Sequence, residues 1–126
     1  MSSGQQRTVD WVDGERTSRV GLFTDAESVL QDMQDVVGRK WNPVLLYRLL
    51  TDGPLGFSEL KRRIDGISSK MLSETLSDLE DQNLVERELL SDQPVRVEYT
   101  LTDRGESLGP VLSGMVEWGS EHEVEE

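Results

Sequence analysis

The stretch FSELKRRIDGISSKMLSETLSDLEDQ, residues 57–82, constrains the fold more than any other part of the chain. Leu60 and Ile64 stand four positions apart, and Leu72, Leu76 and Leu79 repeat at helical spacing further on, so each half has one apolar stripe. Between them lies Asp65-Gly66-Ile67-Ser68, with a glycine suited to a left-handed helix end and a serine suited to start the next helix. The first helix is expected to start at Ser58 as its N-cap, with Phe57 as the hydrophobic residue before it, and the second to run to about Gln82. Two short helices joined by a four-residue turn cannot cover their own stripes. The rest of the chain must supply the cover.

It does so on both sides. From Asp25 onward Val29, Leu30, Met33, Val36 and Val37 recur on one face of an amphipathic helix that Gly38 ends. Pro43 suits the first turn of the next helix, whose Val44, Leu45, Leu46, Leu49 and Leu50 are apolar on most sides until Asp52-Gly53-Pro54 stops it. That helix should be the most buried. Residues 84–90 and 95–101 read as two strands around Ser91-Asp92-Gln93-Pro94, and Val95, Val97, Tyr99 and Leu101 alternate with Arg96, Glu98 and Thr100 as in a half-buried strand. A last helix, capped by Thr102 or Asp103, carries Leu108, Val111, Leu112, Met115 and Trp118 along one side. Pro110 either kinks it or marks its true first turn, and the chain is expected to fray after Gly119. The fold class is therefore mainly α with a small β-hairpin, an α+β arrangement in one domain over residues 25–120. A mobile arm precedes it at 1–24, and an acidic tail follows at 121–126.

The 126 residues have a formal net charge of −12, spread unevenly. Residues 1–37 hold three bases against seven acids, 38–104 ten against twelve, and 105–126 none against six. Yet KRRIDGISSK, residues 61–70, contains four of the thirteen bases. A local basic face survives inside an acidic whole. Strong negative charge is a lever that halophiles use, so a cytoplasm rich in salt is one reading and an ordinary acidic protein the other. No Cys is present, which excludes disulfides, thiolate zinc sites and thiol redox sensing in this chain. No apolar run approaches the ~20 residues of a membrane span, so a cytoplasmic location without membrane contact is expected.

The order helix, helix, glycine turn, longer helix, hairpin is that of a winged helix-turn-helix. In that frame Lys61, Arg62, Arg63 and Lys70 stand beside the groove-entering end of a recognition helix, where DNA phosphates would lie. Ser68, Ser69, Ser73 and Thr75, with Glu74, occupy its opening turns, free of bulk and able to reach base edges or phosphates. Arg87 and Arg96 on the hairpin are either wing contacts to DNA or cross-strand partners of Glu88 and Glu98. Taken alone, a Lys-Arg-Arg run is an ordinary solvated helix face; its position before this turn gives it meaning. Trp41, Trp118 and Tyr99 are most simply core, and His122 a solvated end residue. One His and scattered carboxylates make no closed metal site, and no phosphate-binding glycine loop or nucleophile with a base is present. No metal, no cofactor and no catalysis are expected.

Several separated motifs then fall in order: G-x-K-W at 38–41, F-x-E-L-x-x-x-I at 57–64, G-I-S-x-K-M-L at 66–72, L-x-x-L at 76–79, R-V-E-Y-x-L-T at 96–102 and G-x-S-L-x-P-V-L at 105–112. Over residues 25–120 this pattern resembles the HxlR family of winged helix-turn-helix transcriptional regulators. The resemblance implies a dimeric DNA-binding regulator with its recognition helix at 69–82 and its wing at 90–97. Its N- and C-terminal helices would form the dimer interface, here Val29, Leu30, Met33, Val111, Leu112, Met115 and Trp118. Many relatives carry a Cys near the start of the first helix; here that region is Asp25-Ala26-Glu27-Ser28. The expected partners are double-stranded DNA, a second copy of the chain and an effector of open chemistry. A winged-helix protein-interaction module without DNA binding is the alternative.

Overall fold

The structure, a computed structural model, describes residues 25–122, and these divide after Gly38 into two units. The arm expected at 1–24 and the end of the acidic tail lie outside the described residues.

The first unit contains α1 (Ala26–Asp32) and α2 (Gln34–Val37). Asp25 caps α1, its carboxylate accepting from the Glu27 amide at 3.2 Å. The single helix expected here is interrupted at Met33, which serves as the C-cap of α1 and the N-cap of α2. Val29 and Leu30 are exposed, Met33 is half-buried and Val36 is buried.

The second unit begins with α3 (Asn42–Asp52), with Pro43 in its first turn, where a missing N–H costs nothing. It ends at Gly53, whose φ of 83° a side chain would resist. Next come α4 (Phe57–Arg63) and α5 (Ser69–Asp81). Between them Gly66 takes φ 85°, and the Ser68 hydroxyl accepts from the Met71 amide at 3.0 Å, as the turn chemistry requires. The start of α4 differs from the expectation. Its N-cap is Gly56, because the Glu59 carboxylate reaches back to accept from the Gly56 amide at 2.9 Å and fixes the first turn two residues earlier than Ser58.

The hairpin consists of β1 (Val85–Asp92) and β2 (Val95–Leu101), antiparallel, and only Gln93-Pro94 lies between the strands. The four-residue loop expected from sequence is thus halved, since Ser91 pairs with Arg96 and Asp92 with Val95, while the register shifts between Leu89 and Ser91. Leu55 pairs with Tyr99 through two backbone bonds of 3.1 and 2.8 Å, which joins the loop before α4 to the root of the wing. Thr102 then caps the short α6 (Asp103–Glu106), its hydroxyl accepting from the Gly105 amide at 3.0 Å. The final α7 (Gly109–Glu121) has Pro110 in its first turn, so proline marks a second helix start rather than a kink. The helix also continues past Gly119 to Glu121, with His122 as its C-cap.

The leucine stripes meet as their spacing requires. Leu45, Leu46 and Leu49 of α3, Leu60 and Ile64 around α4, and Leu72, Leu76 and Leu79 of α5 are all buried, joined by Leu84, Val85 and Leu112. Each such leucine withdraws apolar surface worth about 1.5–3 kcal/mol from water. Gly105 admits no side chain: a Cβ there would collide with the Leu84 carbonyl oxygen. The five helices of the second unit and a two-stranded wing around this core make a winged helix-turn-helix.

Candidate nucleic-acid interface

The core stripe of α5 dictates which residues face out. With Leu72, Leu76 and Leu79 turned inward, and Thr75 buried beside them rather than open to DNA as expected, Ser69, Lys70, Met71, Ser73, Glu74 and Ser77 remain exposed on the opposite side. Ser69, Ser73 and Glu74 therefore stand together on one helical face, with Ser68 exposed at its cap. Lys70 reaches Glu74, Nζ to Oε2 3.4 Å, with both side chains largely in solvent.

The bases of the Lys-Arg-Arg run differ in their commitments. Arg63 donates to Asp52 from Nη1 at 2.9 Å, and Arg48 approaches the same carboxylate oxygen at 3.4 Å. The hydrogen bond from Arg63 holds the Asp52 carboxyl below the usual aspartate range against the opposing effect of burial, and Thr51 and Arg48 assist. Arg63 thereby ties α4 to the end of α3. Lys61 and Arg62 are exposed and make no ion pair with a described residue.

The face also includes bases that reasoning from the sequence does not single out. Arg39 and Lys40, just before α3, line a depression of about 370 Å³ together with Trp41, Met71, Glu74 and Asp78. Lys40 Nζ rests 4.8 Å from the centre of the Trp41 ring. The G-x-K-W motif holds this information as an adjacent pair of bases, but only the fold brings it beside α5. Asn42, 2% exposed, donates to Asp78 at 3.0 Å, and Gln82 donates to the same oxygen at 3.0 Å, so α5 is anchored to α3.

The hairpin departs more from expectation. Arg87 lies opposite Tyr99 and Arg96 opposite Ser91, whereas Glu88 faces Glu98, so of the two readings of these arginines the Arg–Glu cross-strand pairs do not form. The pleat decides this, since residues directly opposite share a face and the register sets the two glutamates against each other. Leu89, Leu90 and Val95 are exposed near the tip, Leu90 and Val95 bordering a depression they share with residues 56–59. Val95 is thus not half-buried as its alternation suggested.

Apolar side chains also remain outside on the last helix. Val111, Met115, Val116 and Trp118 are exposed, while Leu112 is buried in the core of its own unit. Trp118 is 59% exposed, which corrects its reading as core; its ring stacks on His122 at 4.4 Å, whose Nδ1 lies 2.9 Å from the Trp118 carbonyl oxygen. A groove of about 380 Å³ runs between α3 and α7, lined by Pro43, Val44, Tyr47, Arg48, Leu112, Met115 and Val116. Among the described residues no cluster of three potential metal ligands occurs, and no helix is long and apolar enough to cross a membrane.

The sequence profile of the HxlR-like helix-turn-helix family matches residues 36–126. The chain belongs to this family. Among its HxlR-like relatives, the HTH-type transcriptional regulator YodB of Bacillus subtilis is 41% identical over 86 residues, covering 68% of this chain and 76% of YodB. An uncharacterized HTH-type transcriptional regulator of the same organism, YkvN, is 43% identical over 93 residues, 74% of this chain and 78% of its own length. Of solved structures, the redox regulator HypR in its reduced form superposes with a TM-score of 0.70 at 36% identity, covering 75% of this chain and 92% of HypR. The HxlR-like chain described here is accordingly a helix-turn-helix transcriptional regulator and not an enzyme. It shares a fold with a redox regulator but contains no cysteine.

Proposed function

We propose that this HxlR-like regulator acts as a homodimer in a cytoplasm rich in salt and binds double-stranded DNA sequence-specifically. The recognition helix, residues 69–82, enters the major groove, and the hairpin lies on the backbone or minor groove. One observation carries this reading: the solvent face of α5 displays small polar groups at its N-terminal end, with Lys61 and Arg62 close in sequence and uncommitted to any described carboxylate. Serines and a glutamate are compatible with base edges, and free bases with phosphates.

Dimerisation is supported by apolar surface that each unit leaves outside. Val29 and Leu30 on α1, and Val111, Met115 and Trp118 on α7, are 40% or more exposed. Patches of that kind usually mark an interface. A two-fold dimer presents two copies of α5 to half-sites about one helical turn apart.

Selection from random duplex DNA, followed by titration with salt, tests the reading. A preferred two-fold sequence is expected. Replacing Lys61 or Arg62 by Gln weakens binding to all duplexes alike and lowers the salt slope by about one for each phosphate that is no longer neutralised. Absence of any duplex shift, at every salt concentration, would instead favour a protein-interaction module.

A further inference from the structure

We propose that Glu74 is a specificity-determining residue that selects cytosine in each half-site, with Met71 favouring a neighbouring thymine; this deepens the DNA-binding reading above and rests on it. The exposed face of α5 is distinguished by what it lacks. Its outward residues are Ser69, Lys70, Met71, Ser73, Glu74 and Ser77. Lys70 is its single base and could read guanine, but none is Arg, Asn or Gln, so the planar bidentate readers are missing from it. Serine hydroxyls both donate and accept, and they discriminate weakly. Glu74 offers the face its one carboxylate in the first two turns.

A carboxylate accepts and does not donate. In the major groove only cytosine N4 and adenine N6 donate hydrogen bonds, and adenine sets the N7 acceptor beside its amine, where it repels a second acceptor. Cytosine is the compatible base. The link between Glu74 and Lys70 does not consume the carboxylate: 3.4 Å is long for a charge-assisted bond, and both side chains stay more than half exposed. Nor is that link an effective helix stabiliser, since Lys N-terminal to Glu is the weaker order at this spacing. It does place a cation against the carboxylate, and Lys40 lines the same depression as Glu74 and Met71. Such cations offset the repulsion that a lone carboxylate would meet near phosphates. Met71, 38% exposed, is the apolar member of this outward set and suits contact with the C5-methyl group of thymine.

The test is selection from random duplexes by the full chain, its Glu74→Gln and Glu74→Ala variants, and Glu106→Gln, an exposed carboxylate of α6 outside the recognition helix, as a control. Glu74 is exposed, so all variants are expected to keep the parent's melting temperature. The parent should enrich a cytosine in each half-site. Glu74→Gln should shift that position towards adenine, changing the cytosine-to-adenine ratio roughly tenfold, Glu74→Ala should leave it without preference, and Glu106→Gln should reproduce the parent. A preferred sequence that neither Glu74 variant alters would overturn the assignment and leave DNA binding intact. Failure of the parent to enrich any sequence would overturn both.

Discussion

At the scale of single residues, two positions carry constraints that pattern alone does not show. Gly105 lies against the Leu84 carbonyl oxygen with no room for a methyl group. Gly105→Ala should therefore destabilise the fold by about 1–3 kcal/mol, as overpacking does, and thermal or urea unfolding reads this directly. Asp52 receives Arg63 and Arg48 at the end of α3, and its folded-state pKa is lowered, chiefly by the hydrogen bond from Arg63. A lowered carboxyl pKa contributes stability above the unfolded value of about 3.9 and loses it as pH falls through the lower folded value. The difference in thermal midpoint between the parent and Asp52→Asn should thus be constant near neutrality and shrink below about pH 4. A difference that persists unchanged into that range would rule out the ion pair as its source. Both constraints depend on neighbours distant in sequence, Leu84 for Gly105 and Arg63 for Asp52.

At the scale of elements, the helices are more legible in the sequence than the wing. The stripe Leu72, Leu76, Leu79 determines the buried side of α5, and Gly66 with Ser68 its start, because both depend on neighbours within one or two turns. The cap of α4 is misplaced from the sequence, which points to Ser58, because the Glu59 carboxylate accepts from the Gly56 amide and starts the helix there. The break at Met33 leaves no periodic trace. Strand register depends on the partner strand: residues 95–101 alternate cleanly, yet the bulge after Leu89 and the two-residue turn set which residues oppose each other. Of the candidate interface, the exposed serines and Glu74 follow from the stripe, whereas the proximity of Arg39 and Lys40 to α5 does not. The wing also carries Glu86, Glu88, Asp92 and Glu98 beside Arg87 and Arg96. Those carboxylates oppose phosphate, so Arg87→Gln and Arg96→Gln should each weaken duplex binding less than Lys61→Gln or Arg62→Gln, as titration of labelled duplex measures. An equal or greater weakening by the wing variants would make the wing the main electrostatic anchor.

At the scale of the whole molecule, a net charge of −12 on 126 residues sets how the protein responds to its solvent. Self-repulsion among like charges is screened within about 10 Å at 0.1 M salt and much less below it. The thermal midpoint should rise with potassium chloride, and light scattering should show a dimer at micromolar concentration in high salt. Binding to DNA should fall only gently along the same titration, because few bases are available for phosphate contacts, each worth a slope of about −0.9. A steep fall in binding together with full stability at low salt would refute the halophilic reading. Where α5 ends, Arg104 Nε donates to the Gln82 carbonyl at 3.0 Å and the Thr102 hydroxyl to that of Asn83 at 2.8 Å. Both donors belong to the few residues that lead into α7. The carbonyls at the end of α5 are thus gripped by the N-cap and first turn of α6, the short helix that leads into α7. With the end of α5 held in this way, Arg104→Gln should free it to fray, read as faster amide exchange over residues 79–82 than in the parent.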